Sequence, residues 1–268
     1  MTKIKLSLAG ATGWAGSAVA RAVIKQPDIE LVSAVSRTHA GKTLGTALTD
    51  AASDAPIFAT AEEALAARPC DVFFEYTKPD VAKSNVLAAL KHGAHVVVGT
   101  SGLSAADYAD IDAAAKTAGR GVLAVGNFAL TVVLLLKFAE AAAKLIPHWE
   151  IIDYSSAGKI DAPSGTGREL AARLGAANQA QHAVPVEQTQ GERAARGATL
   201  GGAQVHSVRL PGYTLSAEVV FGMPDQRLTL RHDAGTSAEP YVDGALLAVR
   251  KVGSILGLRR GLDSVLEL

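Results

Sequence analysis

Two hydrophobic periods alternate along this chain. A β-like run of Ile4, Leu6, Leu8 and Ala9 gives way to Gly10-Ala-Thr-Gly13-Trp-Ala-Gly16, a helical segment from Ser17 to Lys25 and a second apolar strand from Ile29 to Val35. Strand, glycine turn, helix and strand at this spacing predict a βαβ unit whose two strands are parallel neighbours. Residues 40 to 60 carry no period and are expected to be loop-rich. Alternation then returns as helix 62–67, strand 71–76, helix 80–91, strand 95–98, helix 105–118 and strand 121–125. That succession predicts an α/β fold with a doubly wound parallel sheet.

The pattern changes beyond residue 130. An apolar helix, 130–145, leads to Pro147, and Trp149 to Ser155 alternate as a strand. A helix at 165–174 precedes a polar segment, 176–203, expected to be a long loop. Strands 204–210, 214–221 and 226–233 follow in hairpin-like succession, with Pro211-Gly212 and Pro224-Asp225 as turns. The expectation is a second, α+β domain built on an open mixed sheet. Residues 1–129 form the dinucleotide-binding domain and 130–238 the second; a final helix, about 239–256 within 239–268, folds back on the first.

At 268 residues the chain is long enough for two such cores. Lys plus Arg and Asp plus Glu balance at 26 each, so no overall field favours nucleic acid or a membrane surface, and a small-molecule partner fits better. The single cysteine, Cys70, excludes an internal disulfide framework and a cysteine-cluster metal site, and no metal is expected. No charged, apolar leader precedes the first strand and no apolar run reaches membrane-spanning length, which predicts a soluble cytoplasmic protein.

Candidate chemistry concentrates in a few stretches. Gly10, Gly13 and Gly16 let the backbone turn sharply and approach a pyrophosphate, with the N–H groups at the helix start holding its charge. At the end of the second strand an acidic residue would accept the ribose 2′-hydroxyl; Ser36 and Arg37 stand there instead and favour NADPH over NADH. In a doubly wound sheet ligands lie beyond the carboxyl ends of the strands, here Tyr76-Thr77-Lys-Pro79, Gly99-Thr100-Ser101-Gly102 and Val125-Gly126-Asn127-Phe128, which would frame a nicotinamide. Lys159-Ile-Asp-Ala-Pro-Ser164-Gly165-Thr166 places a cation, a proline-set turn and two hydroxyls at a helix threshold. Pro163 fits its first turn, Ser164 can cap it, and the N–H groups of Gly165 and Thr166 point outward as a carboxylate or phosphate cradle, or as an ordinary capped helix start beside a surface lysine.

Over nearly its whole length the chain resembles the dihydrodipicolinate reductase family, also called 4-hydroxy-tetrahydrodipicolinate reductases. The motifs that carry the resemblance are Gly10-x-x-Gly13-x-x-Gly16, Thr77-x-Pro79, Gly99-Thr-Ser-Gly102, Asn127-Phe128, Glu150-Ile-Ile-Asp and Lys159-x-Asp161-Ala-Pro-Ser-Gly-Thr166. The resemblance implies a Rossmann-like cofactor domain, a mixed-sheet substrate domain that also builds a homotetramer, and NAD(P)H-dependent reduction of a cyclic imino-dicarboxylate in lysine and diaminopimelate biosynthesis. Carried over by position, Gly10, Ala11, Thr12, Gly13, Trp14 and Ala15 would hold the pyrophosphate and Arg37 a 2′-phosphate. Thr77, Gly99, Thr100, Ser101 and Val125 to Phe128 would line the nicotinamide end. Ser156, Lys159, Ser164, Gly165 and Thr166 would bind substrate, with Lys159 and Ser155 as the catalytic pair.

The chain also departs from that pattern. Typical members have a His-His pair where Ser155-Ser156 stands, and Gly158, Val219 and the stretch after Arg231-His232 lack further basic groups. A neutral hydroxyl is a poor acid near pH 7, so Lys159 or a bound water would have to give the proton. The histidines present, at 39, 92, 95, 148, 182, 206 and 232, do not occupy the matching place. Three outcomes stay open: the same reduction with Lys159 as main acid, a paralogue reducing a different imine or carboxylate, or a non-catalytic NADPH-binding protein.

Overall fold

Buried strands with apolar side chains on both faces organise the first half of the chain. The computed structural model describes residues 2–49 and 52–266. In chain order β1 is Ile4–Ala9, α1 Trp14–Ile24, β2 Ile29–Val35, α2 Leu44–Leu48, β3 Ile57–Phe58, α3 Ala61–Ala67, β4 Val72–Glu75, α4 Pro79–Lys91, β5 His95–Val98, α5 Ala105–Ala118, β6 Gly121–Ala124 and α6 Leu130–Ala143. There follow β7 His148–Ser155, α7 Gly165–Ala177, β8 Ala198–Leu200, β9 Ala203–Arg209, β10 Leu215–Met223, β11 Gln226–Ala234, α8 Val242–Lys251 and β12 Gly257–Arg260. By contacts the chain divides into two units, one running to Leu130 and resuming at Ala238, the other Thr131–Ser237.

The first unit is a seven-stranded sheet in the order β12-β6-β5-β4-β1-β2-β3, with every pairing parallel. All residues of β4 and β6 are buried, as a sheet with helices on both faces requires. The helices are delimited locally. Thr60 and Glu63 form a capping box on α3; Ser104 and Asp107 form one on α5, which Gly119 ends in the left-handed conformation. Three features differ from the sequence expectation. The 40–60 segment is not only loop: it holds α2 and the edge strand β3, two residues being too short to show a period. Residues 50 and 51 of that segment, and the last two of 239–268, lie outside the described residues. The final helix stops at Lys251, and the chain adds β12 beside β6.

The second unit is a five-stranded mixed sheet ordered β11-β10-β7-β9-β8. β10 pairs antiparallel with both β11 and β7, β7 pairs parallel with β9, and β8 pairs antiparallel with β9. The expected hairpin of 204–210 with 214–221 is absent, because β7 lies between them. Trp149, Ile151, Asp153 and Ser155 on one face of β7 are all buried, and a strand so buried takes the sheet centre with a ladder on each side. As the chain crosses the end of β7, the Leu210 N–H donates to the Ser155 carbonyl at 3.2 Å. Within the expected 176–203 loop β8 forms, and two 3₁₀ turns, Val186–Gln188 and Arg193–Arg196, precede it. Arg196 donates to Glu150, whose other oxygen takes a bond from His206 at 2.8 Å, tying this segment to the sheet.

Candidate active site

The glycine turn in the first unit has no room for a side chain at two positions, Gly10 and Gly16. Gly10 has φ +81, and a Cβ there would collide with the Tyr76 carbonyl; a Cβ at Gly16 would collide with the Gly10 carbonyl. Gly13 is the N-cap of α1 and makes no side-chain cap, so its following N–H groups have no partner within the helix. Ala11 is buried, Ala15 half-buried, and Trp14 stands 62% exposed with its ring edge-on to Tyr241 at 5.8 Å. Thr12 Oγ1 lies 2.9 Å from Ser36 Oγ, so the turn is fastened to the end of β2, where Arg37 is exposed.

A cavity of ≈ 730 Å³ opens here, lined by Gly10, Gly13, Arg37, Thr77, Val81 and Asn85 among others. Its lining joins the backbone of Gly10 and Gly13 to the side chains of Thr12, Ser36 and Arg37. Ala59, Ala61, Val81 and Ala88 add apolar walls. This donor set fits a dinucleotide: phosphates on the helix start, a flat base against the apolar walls.

One residue of this region escaped sequence analysis. Glu75, fully buried at the end of β4, accepts from the Thr77 N–H at 2.8 Å, from the Thr77 hydroxyl, from the Thr100 hydroxyl at 3.2 Å and from Asn85 Nδ2 at 2.8 Å. Burial pushes its carboxyl above the ordinary range, against the pull of those four donors. The signal available was a lone acidic residue closing the apolar run Val72-Phe-Phe. Phe74, Tyr76 and Phe128 pack beside it with ring centroids 5.4 to 5.7 Å apart. Gly99 is required there, since a Cβ would meet Phe128 and Tyr76. Thr100 and Val125 are buried, Ser101 and Gly126 exposed, and Asn127 Oδ1 accepts the Ala129 N–H at 2.9 Å.

In the second unit the helix threshold forms with one change. Ser164 caps α7, its Oγ accepting from the Gly167 N–H at 3.2 Å, which leaves Gly165 and Thr166 as the first two helical residues with N–H groups lacking intrahelical partners. Pro163 is not in the first turn as expected: it precedes the cap and follows a cis bond from Ala162. The start of α7 is anchored from below. Asp153 Oδ2, buried on β7, accepts from the Ser164 N–H at 2.8 Å and from Arg209 Nη2 at 2.8 Å. The same Arg209 nitrogen donates to the Asp161 carbonyl at 2.8 Å, and Nη1 donates to the Asp153 carbonyl at 3.2 Å. Burial opposes ionisation of Asp153, but Ser164 and Arg209 outweigh it and hold the carboxyl below its usual range.

Lys159 Nζ lies 2.7 Å from Asp161 Oδ1, both half-exposed, and this bond holds the Asp161 carboxyl low. Ser156 is exposed on the same loop. Ser155, in contrast, is buried and donates its hydroxyl proton to the Thr214 carbonyl at 2.9 Å. His148 donates to the Gln181 carbonyl and His206 pairs with Glu150, so both have partners away from Lys159. Among the described residues no group of three or more His, Cys, Asp or Glu could hold a metal ion, and no helix is long and apolar enough to cross a membrane.

Comparison with known proteins settles the family. Residues 4–128 match the family described as dihydrodipicolinate reductase, N-terminus, and residues 131–266 its C-terminus. The chain belongs to the dihydrodipicolinate reductase family. It is 36% identical over 264 residues to the 4-hydroxy-tetrahydrodipicolinate reductase of Bacillus pumilus (strain SAFR-032), covering 98% of each chain. It is 37% identical over 268 residues to that of Lactococcus lactis subsp. cremoris (strain MG1363), covering 100% of this chain and 99% of the relative. A solved dipicolinate-bound dihydrodipicolinate reductase from Paenisporosarcina sp. TG-14 superimposes with a TM-score of 0.89 at 28% identity, over 99% of this chain and 100% of that one. The fold is shared more widely: an amine dehydrogenase from Mycobacterium smegmatis gives a TM-score of 0.69 at 14% identity, over 100% and 97% of the chains.

Proposed function

We propose that this protein reduces 4-hydroxy-tetrahydrodipicolinate to tetrahydrodipicolinate, in lysine and diaminopimelate biosynthesis, with NADPH preferred to NADH. What carries this is the intact Lys159-to-Thr166 cradle, anchored by Asp153 and Arg209, in a chain similar from end to end to reductases named for that substrate. The first unit holds the cofactor: Gly10 to Ala15 take the pyrophosphate, Arg37 the 2′-phosphate, and Thr77, Gly99 to Ser101 and Val125 to Phe128 the nicotinamide end. The cofactor would supply a hydride, and the net change is one hydride and one proton taken up while the 4-hydroxyl leaves as water. In the second unit Ser164, Gly165 and Thr166 fix a substrate carboxylate through backbone donors and hydroxyls, and Ser156 adds a neutral contact.

Lys159 holds the proton the substrate takes up. Its ammonium has three donors, of which Asp161 occupies one, and Asp161 fixes where the others point. Ser155 keeps its hydroxyl for Thr214 and supports the loop from behind. The half-exposed face of the mixed sheet, including Ile152 and Val220, is the surface for assembly into a homotetramer, and the setting is the reducing cytoplasm.

A second reading is favoured by one observation, the burial of Ser155 against Thr214: the loop then offers the substrate one cation and no imidazole, as a paralogue acting on another cyclic imine would. NADPH oxidation with freshly generated hydroxy-tetrahydrodipicolinate beside a panel of cyclic imino acids separates the outcomes. Turnover of the first establishes the reaction; turnover of another alone establishes the paralogue. Cofactor binding with no oxidation over the panel establishes a non-catalytic protein.

A further inference from the structure

The cofactor cavity rests on a charged side chain that no part of the proposed reaction uses. Glu75 has zero exposed surface, and an ionised carboxylate can only accept hydrogen bonds. Every polar neighbour must therefore turn a proton toward it, as the Thr77 N–H, the Thr77 and Thr100 hydroxyls and Asn85 Nδ2 do. Asn85 is the informative partner. An amide has a donor end and an acceptor end, and the carboxylate claims the donor, so what Asn85 retains for a ligand is Oδ1. Thr77, its hydroxyl proton likewise claimed, retains oxygen lone pairs. Both residues line the cavity, alongside the apolar walls of Val81 and Ala88 that suit a flat base.

We propose that Glu75, acting through Asn85, makes this pocket select a cofactor whose base carries an exocyclic amino group, adenine over hypoxanthine. The inference rests on the cofactor assignment above. Glu75 is a positioning residue in this scheme, and Asn85 is the group that reads the base. Glutamine at position 75 has the same shape. Its oxygen goes on accepting from Thr77 and Thr100, but its NH₂ now donates to Asn85, whose amide turns over and offers Nδ2 to the cavity. The wall changes from acceptor to donor, which suits the 6-oxo group of hypoxanthine.

The test is calorimetric titration of the apo protein, without substrate, with NADPH and with its hypoxanthine counterpart, alongside the melting temperature of each apo variant. The wild type is expected to favour the adenine form by about tenfold, the worth of one well-placed hydrogen bond. Glu75→Gln is expected to bring that ratio to one or below with the fold intact. A merely structural role for Glu75 would weaken both nucleotides together and leave the ratio unchanged, overturning the inference, as would a wild type without preference. Should Glu75→Gln fail to fold, Asn85→Leu decides: loss of the ratio upholds the inference and its retention overturns it. Binding of neither nucleotide by the folded wild type overturns the cofactor assignment and this inference together.

Discussion

Arg209→Met removes the guanidinium that holds both the Asp161 carbonyl and the buried carboxylate of Asp153. Taking one partner from a buried ion pair typically costs about 3–5 kcal/mol. The lower end, about 3 kcal/mol, applies here, because Arg209 keeps 16% of its side-chain surface in solvent and Asp153 still accepts from Ser164. Domains of ordinary stability survive that loss, so the variant should fold and its stability can be measured by urea unfolding across pH. The sign of the pH dependence follows from Asp153. In the wild type its carboxyl is held below the ordinary 3.8; its stabilisation is present above that value and lost as pH falls through the folded pKa. In the variant the guanidinium no longer lowers it, so less of that stabilisation is present at neutral pH. The gap between the two proteins should be widest at neutral pH and narrow as pH falls below the ordinary 3.8. The substrate KM should rise about tenfold, a loss of the order of one positioned hydrogen bond, while cofactor affinity stays unchanged. A gap below about 1 kcal/mol, or one that does not vary with pH, refutes the anchoring role.

Lys159→Ala should lower turnover by roughly 10²–10⁴-fold, the usual worth of a positioned acid, with cofactor affinity by fluorescence titration unchanged; turnover like the wild type removes Lys159 as proton donor. Arg37→Ala should weaken NADPH by about tenfold or more and NADH little; equal losses in the two dissociation constants remove the 2′-phosphate contact. Ser155→Ala should lose about 1 kcal/mol in denaturant unfolding and keep most of its turnover; collapse of turnover in a stably folded variant would restore Ser155 as a catalytic group. Carboxyl-carbon NMR titration should find Glu75 above the ordinary 4.5 and Asp153 below 3.8; the opposite order contradicts the two environments described.

Periodicity carried most of the first unit, because strands buried on both faces and capped amphipathic helices leave strong local signals. The α/β class, the parallel β1–β2 pair and the glycine turn are all legible in residues 4 to 35. What local pattern could not show was decided by distant partners. β3 and β12 extend the sheet at its two edges, where two to four residues suffice once a neighbour offers its ladder. β7 enters between β9 and β10 because its buried face needs both, although those two are consecutive in sequence. The substrate loop was legible as a motif, but its supports were not: Arg209 lies 56 residues from Asp153, and nothing near either residue announces the other. Nor does anything near Ser155 in the sequence announce that its hydroxyl donates to the carbonyl of Thr214, brought alongside by β10.

Each unit thus places one buried carboxylate beneath its working loops, and the two are stabilised by different means. Loop ends carry free N–H groups and hydroxyls that would otherwise sample many arrangements, and a buried acceptor fixes several of them at once. Asp153 has a cation to offset its desolvation, so its charge is stable and its pKa falls. Glu75 has only neutral donors, so its pKa rises and its ionised form is the strained one. A raised folded pKa means a contribution to stability that is present below the unfolded value and lost as pH rises through the folded one. At neutral pH, therefore, Glu75 weighs against folding, and an isosteric neutral amide there should hold or raise the melting temperature. A residue whose ionised form stabilises the fold less is explained by what it does for the cavity, and the acceptor that Asn85 presents there is the consequence that only the carboxylate enforces.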